Sequence, residues 1–560
     1  MEPAYISIAR RKQEEQRSKI PKEWLLPDRF LPTPSTKNVL DVIPRSGLLT
    51  DQERRITEDY DATALLEALK TGKLKSVDVT RAFCKRAAIA HQLTNCLTEI
   101  NFAAALSRAA SLDAHLARHG SPTGPLHGLP MSIKDSFQIP GLDATVGLTA
   151  LAFKPSTIAS DLTALLLDAG AVIHCKTNIP QTLSALDSHN YTFGRVLNPY
   201  NRLVTAGGSS GGEGALIGLR GSPLGVGTDV GGSIRVPAMC NGIYGIKPSC
   251  GRVPYGAQQD GRPEANGRMG IQACAGPLAG SLRDCETFLK AIGEMKPWER
   301  SQDVLYGSWE EQGRCSRKMR IGVVRRDGLI EPLPPVQKLI DEVAQAMGKS
   351  GSIEVVEMDI SEVFSKAQSL SNALLGIEGG NSVFDLIEST GEPLSPWLQT
   401  RMKRKASSTL EQARVLQARR LQLENKFLQI WKDAQGDIDS FICPIAPHPV
   451  PPIDRWNGVS YTITFNLIDL PAGVIPIRTF TSEDMRDGKF ALPPGKPIGS
   501  WDARNRELWT DVDKSVYLDT PMCIQVVAPK LQEKRLYEAM QAIDEAVKPL
   551  RKTSGLKANL

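Results

Sequence analysis

An α/β fold is predicted for this chain of 560 residues by three observations. Asp161 to Gly170 has apolar residues at helical spacing and stops on a glycine, and Ala171-Val172-Ile173-His174-Cys175-Lys176 follows at once as a strand. Residues 203 to 275 are dense in glycine and short apolar pieces, the composition of backbone packed closely around a site. The length can bury a large core, and 41% hydrophobic with 23% charged residues is the balance of a globular protein.

Taken in order, residues 1 to about 60 read as an arm. Its polar stretch Glu14 to Ile20 is predicted helical, and Pro21 and Pro27 break it. Asp61 to Lys70 shows helical spacing at Ala64, Leu65, Ala68 and Leu69, with Asp61 or Thr63 as cap. Ser76 is expected to cap a helix running to His91, and Ala103 to Ala117 is another amphipathic helix. Met131-Ser132-Ile133 is a short buried strand. From about 334 to 435 the pattern is mostly helical, most clearly from Arg401 to Lys432. Strands return at Ser440 to Pro444 and Val474 to Ile477, and Gln532 to Val547 is a closing helix. Residues 481 to 520 form the longest insertion, and there is no internal repeat.

Charge and cysteine usage exclude several classes. A net charge of +5, from 67 basic against 62 acidic side chains, includes no basic block able to track a phosphate backbone, so nucleic acid is not expected as a partner. The ten cysteines stand singly without a C-x-x-C pair, which removes zinc-finger and thioredoxin-type readings. No metal site is expected. The N-terminus lacks the apolar run of a signal peptide, and no uncharged apolar run is long enough to span a membrane. A reducing, cytoplasmic location is the expectation, with a peroxisomal tail at Ala558-Asn559-Leu560 as the rival address.

The chemistry concentrates in Gly207-Gly208-Ser209-Ser210-Gly211-Gly212, in Asp229-Val230-Gly231-Gly232-Ser233-Ile234-Arg235, and upstream in Met131-Ser132-Ile133-Lys134-Asp135. Cleaving an amide requires an activated nucleophile, donors for the oxyanion and an acid for the departing nitrogen. Gly231-Gly232 before Ser233 lets consecutive N–H groups turn toward one point as an anion-binding nest. A tight turn using glycine only for its backbone freedom is the plain alternative. The Ser209 loop matches G-x-S-x-G by letter, but a nucleophile elbow needs a downstream histidine. Only His448, between Pro447 and Pro449, follows. Lys134 is the candidate base. At an ordinary pKa of about 10.4 only about 1 lysine in 2,500 is neutral at pH 7, so a base needs burial or a neighbouring cation, for which Arg235 is the candidate. An exposed lysine, or one paired with Asp135, is the alternative.

Together these stretches resemble the amidase signature family, and are most similar to its fungal acetamidase and general amidase branch. The resemblance extends to Gly124-Pro125-Leu126-His127-Gly128-Leu129-Pro130, Lys176-Thr177-Asn178-Ile179-Pro180-Gln181, Tyr244-Gly245-Ile246-Lys247-Pro248, Cys443-Pro444-Ile445-Ala446-Pro447 and Asn466-Leu467-Ile468-Asp469. It implies a large mixed sheet covered on both faces by helices. The domain expected is 61–550, with core motifs in 123–285, a variable helical segment at about 334–435 and a tail at 551–560. It also implies roles: Ser233 as acyl-forming nucleophile, Ser209 as proton relay, Lys134 as base, and the N–H groups of Val230, Gly231, Gly232 and Ser233 as oxyanion hole. Leu183 aligns with a position touching the acyl group, Asp229 and Arg235 look like partners holding the nucleophile loop, and Ser210 looks like a loop support. The family often has a glycine where Gln525-Val526-Val527-Ala528-Pro529 continues here, which puts the local backbone in question.

The function expected is hydrolysis of a small-molecule amide to acid and ammonia or amine, with no cofactor. The arm is expected to pack on a second copy, making a homodimer. Three alternatives stay open: a glutaminase subunit of an amidotransferase, an esterase or acyl-transfer enzyme of a biosynthetic pathway, and a binding protein that keeps only the scaffold. Pocket walls are expected from the variable helical segment and the 481–520 insertion.

Overall fold

The computed structural model describes residues 2–261, 269–307, 309, 318–433, 438–486 and 488–554. The tail Ala558-Asn559-Leu560 lies outside these residues. Among the described residues thirteen strands follow in chain order: β1 (Leu97–Ile100), β2 (Pro130–Lys134), β3 (Val172–Thr177), β4 (His189–Asn190), β5 (Gly194–Arg195), β6 (Leu224–Asp229) and β7 (Tyr244–Lys247). The remainder are β8 (Cys274–Ala279), β9 (Met319–Val323), β10 (Ile353–Glu357), β11 (Ser440–Cys443), β12 (Ala472–Thr479) and β13 (Pro521–Val527). β4 and β5 form a small ribbon, and the other eleven make one sheet ordered β1-β3-β2-β6-β8-β7-β12-β13-β11-β9-β10.

The sheet is mixed, as expected. β3, β2 and β6 run parallel, as do β11, β9 and β10, and the pairs from β6 through β8, β7, β12 and β13 to β11 are antiparallel. β2, β3, β6, β8, β12 and β13 are buried along their whole length, and most of them carry apolar or small residues on both faces, with His174 and Lys176 of β3 among the buried polar exceptions. Helices Ala62–Lys70, Ser76–Thr94 and Leu282–Glu294 lay apolar faces on this core.

Local signals set most helix ends. The Asp61 side chain accepts from Ala64 N–H at 2.9 Å, so Asp61 rather than Thr63 is the cap. Ser76 does not cap its helix: its hydroxyl donates to the Gly128 carbonyl, and Asp113 accepts from the N–H groups of Ser76 and Val77. A carboxylate from the next helix has replaced the local cap. The helix expected from Arg401 begins only at Leu410, because Thr409 and Gln412 exchange side-chain and backbone hydrogen bonds there. The 334–435 segment also contains β10, and the 481–520 insertion contains the helix Ser500–Thr510.

The arm's first helix spans Ala4–Ser18, earlier than the predicted stretch. It lies on the edge of the sheet, where Gln16 Nε2 donates to the Leu97 and Thr98 carbonyls of β1 at 2.8 and 2.9 Å. Lys12 is buried between Glu99 at 2.5 Å and Asp143 at 2.7 Å. This covers an edge strand, a surface that would otherwise invite foreign pairing. The polar face of the arm's first helix is thus matched on the β1 edge of its own chain.

Candidate active site

Lys134 ends β2 and Asp229 ends β6, two neighbouring parallel strands whose register pairs Ile133 with Val226. Their carboxyl ends therefore open at the same place, the position where α/β sheets bind ligands. The serine loop enters from the side and runs directly into the helix Gly211–Gly218, which packs on β2, β3 and β6. Gly212 is needed for that approach, since a Cβ there would meet the backbone of Asn178 and the Cys96 carbonyl.

Lys134 is fully buried, not a surface lysine. Its Nζ donates to Ser209 Oγ at 2.7 Å and to Thr228 Oγ1 at 2.8 Å. Ser209 and Ser233 are 2% and 6% exposed, so both sit almost sealed beneath the surface. The Gly208–Ser209 peptide is cis. Ser210 ties the two loops together: its N–H donates to the Ser233 carbonyl at 3.2 Å, and its hydroxyl lies between the Thr228 N–H and carbonyl. The neighbouring carboxylate, Asp135, accepts from Val146 N–H at 2.8 Å and from the Thr145 hydroxyl.

The Ser233 loop is held by a buried ion pair. Arg235 donates to both oxygens of Asp229 at 3.1 Å, and both side chains are fully buried. Burial alone would push the Asp229 carboxyl up, but Arg235, with Lys247 and the Ile234 N–H, holds it well below the usual carboxylate range. Asp229 also accepts from Gly232 N–H at 2.7 Å and Ile234 N–H at 3.1 Å, bending the chain around Ser233. Arg235 reaches on to the Thr462 carbonyl, Asn466 and Gln525. Its charge is therefore matched by Asp229 rather than presented to Lys134.

Gly232 has φ +126°, where a side chain would also strike Thr462. Thr462 in turn donates to the Gly231 carbonyl at 2.7 Å. The Gln525 segment that departs from the family pattern forms regular β13, and its amide bridges Arg235 to the Pro444 and Tyr461 carbonyls.

His448 has no catalytic geometry. Its Nε2 accepts from Gly458 N–H at 2.9 Å and its Nδ1 lies 2.8 Å from the Pro449 carbonyl, so both ring nitrogens serve the backbone. Burial pushes its pKa down to about 4, keeping it neutral. The elbow reading of the Ser209 loop ends there.

Leu183 sits in the turn Gln181–Leu183 with φ +62°, beside Thr182 at +65° and near Val146 at +45°. Thr182 N–H donates to the Val146 carbonyl at 2.9 Å. Three non-glycine residues with left-handed backbone in contact mark stored strain, on the order of 1–3 kcal/mol each. Leu183 packs on an apolar cluster of Val146, Leu148, Ile179 and Ile387. Three residues on, Leu186 lies against Gly208, immediately before Ser209.

Sequence reasoning missed two groups around Lys134. Thr228 Oγ1 accepts from Lys134 Nζ beside Ser209, and Glu213 lies buried on the helix behind Ser210. The hydroxyls of Ser132 and Thr177 donate to the two Glu213 oxygens at 2.6 and 2.9 Å. Burial pushes the Glu213 carboxyl up to about 8, against the pull of those hydroxyls and of Lys134. Ser132 stands two residues before Lys134 on one strand, so the alternation of β2 put both side chains on one face. That alternation was the available signal.

Among the described residues no group of histidine, cysteine and carboxylate side chains has metal-binding geometry, and no helix is long and apolar enough to cross a membrane. The nine described cysteines are free.

The fold is that of one class of hydrolase. The sequence model of the Amidase family matches residues 78–537, and the chain belongs to that family, the amidase signature proteins. The chain is 33% identical to the acetamidase of Aspergillus oryzae, over 95% of this chain and 97% of that protein. It is 35% identical to an amidase of Gibberella moniliformis, over 88% and 95%. Among solved structures, fatty acid amide hydrolase superposes with a TM-score of 0.87 at 27% identity, covering 97% of this chain and 95% of that one.

Proposed function

We propose that this protein hydrolyses a small-molecule carboxylic amide to a carboxylic acid and ammonia or an amine, through Lys134, Ser209 and Ser233 and an acyl-enzyme. The observation that carries the reading is the 2.7 Å contact from Lys134 Nζ to Ser209 Oγ in a sealed site. Family membership and the amide substrates for which the Aspergillus and fatty acid amide enzymes are named support it.

With neutral Lys134, Nζ takes the Ser209 proton while Ser209 Oγ takes that of Ser233. Ser233 Oγ then attacks the carbonyl carbon, and the carbonyl electrons move onto oxygen. N–H groups of Val230, Gly231 and Ser233 hold that oxyanion. Gly232 contributes through its backbone angle, because its own N–H is engaged by Asp229. The tetrahedral intermediate collapses as the relay returns the proton to the leaving nitrogen. Water repeats the cycle on the acyl-Ser233 ester and releases the acid. Nucleophile, relay, base and oxyanion donors all come from the chain, so the steps balance without a cofactor. Leu183 lines the acyl side in this reading.

The test is ammonia release from a series of primary amides, from acetamide to longer aliphatic and aromatic members. Turnover by wild type and none by Ser233→Ala is the expected result. Equal turnover by both would refute it.

A further inference from the structure

The strained turn beside the serine loop is held by one buried carboxylate from a distant part of the chain. Glu392 follows the helix Asn381–Thr390 and is 4% exposed. Its Oε2 accepts from Thr149 N–H at 2.8 Å and from the Thr149 hydroxyl at 2.5 Å, and its Oε1 accepts from Gln181 Nε2 at 2.6 Å. Gln181 also donates to the Pro393 carbonyl at 3.0 Å and accepts from Ser395 N–H at 2.8 Å. Every polar atom of the two side chains is engaged, which offsets the cost of burying them.

The contact that Glu392 spans is the strained one. Val146, Thr182 and Leu183 all have left-handed backbone, a state that persists only where the surroundings over-determine it. Thr149 stands three residues after Val146, and Gln181 directly precedes Thr182, so Glu392 ties the two halves together. Val146 N–H donates to Asp135, the residue after Lys134. On its other side the turn runs into residues 185–188, which back the serine loop. A Cβ on Gly208 would meet the Ala185 carbonyl at 2.5 Å and the Leu186 and Asp187 backbone at 2.8 Å, so nothing separates the two segments. The Ser188 hydroxyl donates to the Gly207 carbonyl at 2.9 Å and accepts from Gly211 N–H at 3.1 Å. Ser209 lies between those two anchors. A shift of the turn is passed to Ser209 through close-packed backbone.

From this chain of contacts we infer that Glu392 is a positioning residue: by clamping Thr149 to Gln181 it fixes the turn that holds Ser209 on Lys134. The inference rests on the amidase reading, in which Ser209 relays the proton, and adds a residue that acts through Ser209 without touching substrate.

The rate at which a fluorophosphonate labels Ser233 reads the relay without a chosen amide. Glu392→Gln keeps the shape but turns an amide donor toward Gln181 or Thr149, and labelling slows by about 10–100-fold. In a Ser209→Ala background, where the relay is already lost, the same substitution changes the rate by less than about twofold. A loss of equal size in both backgrounds belongs to a merely structural residue and overturns the proposal, as does an unchanged rate in Glu392→Gln. Should Glu392→Gln not fold, Thr149→Val removes one donor, keeps the Thr149 N–H, and carries the same cycle with a loss of about fivefold. Hydrogen exchange gives a readout without chemistry: amides of residues 181–188 exchange faster in Glu392→Gln, while those of the helix Gly211–Gly218 do not. Unchanged exchange at 181–188 overturns the clamp. A folded wild type that takes no label counts against the amidase reading instead, and exchange then decides the clamp alone.

Discussion

Lys134 and Ser209 meet at 2.7 Å although they belong to different elements, one ending a central strand and the other opening a buried helix loop. The contact exists because parallel β2 and β6 end side by side and the glycines around Ser209 let that loop descend onto them.

Removing members of the relay has unequal effects. Ser233→Ala abolishes acylation, whereas Ser209→Ala and Lys134→Ala lower kcat/KM by about 10²–10⁴-fold while leaving residual turnover. Single-turnover kinetics on an activated amide distinguish the two outcomes.

The Asp229–Arg235 pair sets the Ser233 loop, and both groups are fully buried. Asp229→Asn or Arg235→Met leaves one uncompensated charge and costs about 3–5 kcal/mol. The double variant loses less than the sum of the two. Urea unfolding of the four proteins gives the coupling directly.

Glu213 gives stability a slope with pH. Its carboxyl titrates near 4.5 when unfolded and near 8 when folded, so the folded state holds a proton that unfolding releases across that window. This stabilisation is complete below the lower value and is lost as pH rises through the upper one. The contribution declines by up to about 1.4 kcal/mol per pH unit between about pH 5 and 8. Glu213→Gln keeps the shape and removes the slope, which unfolding midpoints measured across the range will show.

The arm is held by charge as well as by packing. Burial would lower the Lys12 pKa, but Glu99, Asp143 and Glu15 together raise it well above its ordinary value. Lys12→Met leaves Asp143 buried without its ion-pair partner and Glu99 with only Lys19 at 3.3 Å, and costs about 3–5 kcal/mol. Hydrogen exchange then rises first in β1, whose carbonyls Gln16 covers.

The site was legible in the sequence where chemistry is written in backbone demands. Glycines on both sides of Ser209 and before Ser233 mark close approach, and an apolar strand ending in Lys134 marks burial. Side chains that act across the fold left no local trace. Asp113 replaced Ser76 as a helix cap, and Asp229 took the Arg235 charge that was expected to act on Lys134. Glu213 was given no role from the sequence, although β2 alternation placed Ser132 against it. The arm was legible as a helix, but its partner strand lies some eighty residues away, beyond local pattern.

The most direct test labels the intact protein with a fluorophosphonate and maps the adduct by mass spectrometry in wild type, Ser233→Ala and Lys134→Ala. The account predicts a single adduct on Ser233 of wild type, none on Ser233→Ala, and labelling of Lys134→Ala slowed by about 10²–10⁴-fold. A folded wild type without adduct, or an adduct retained in Ser233→Ala, would contradict a lysine-activated Ser233.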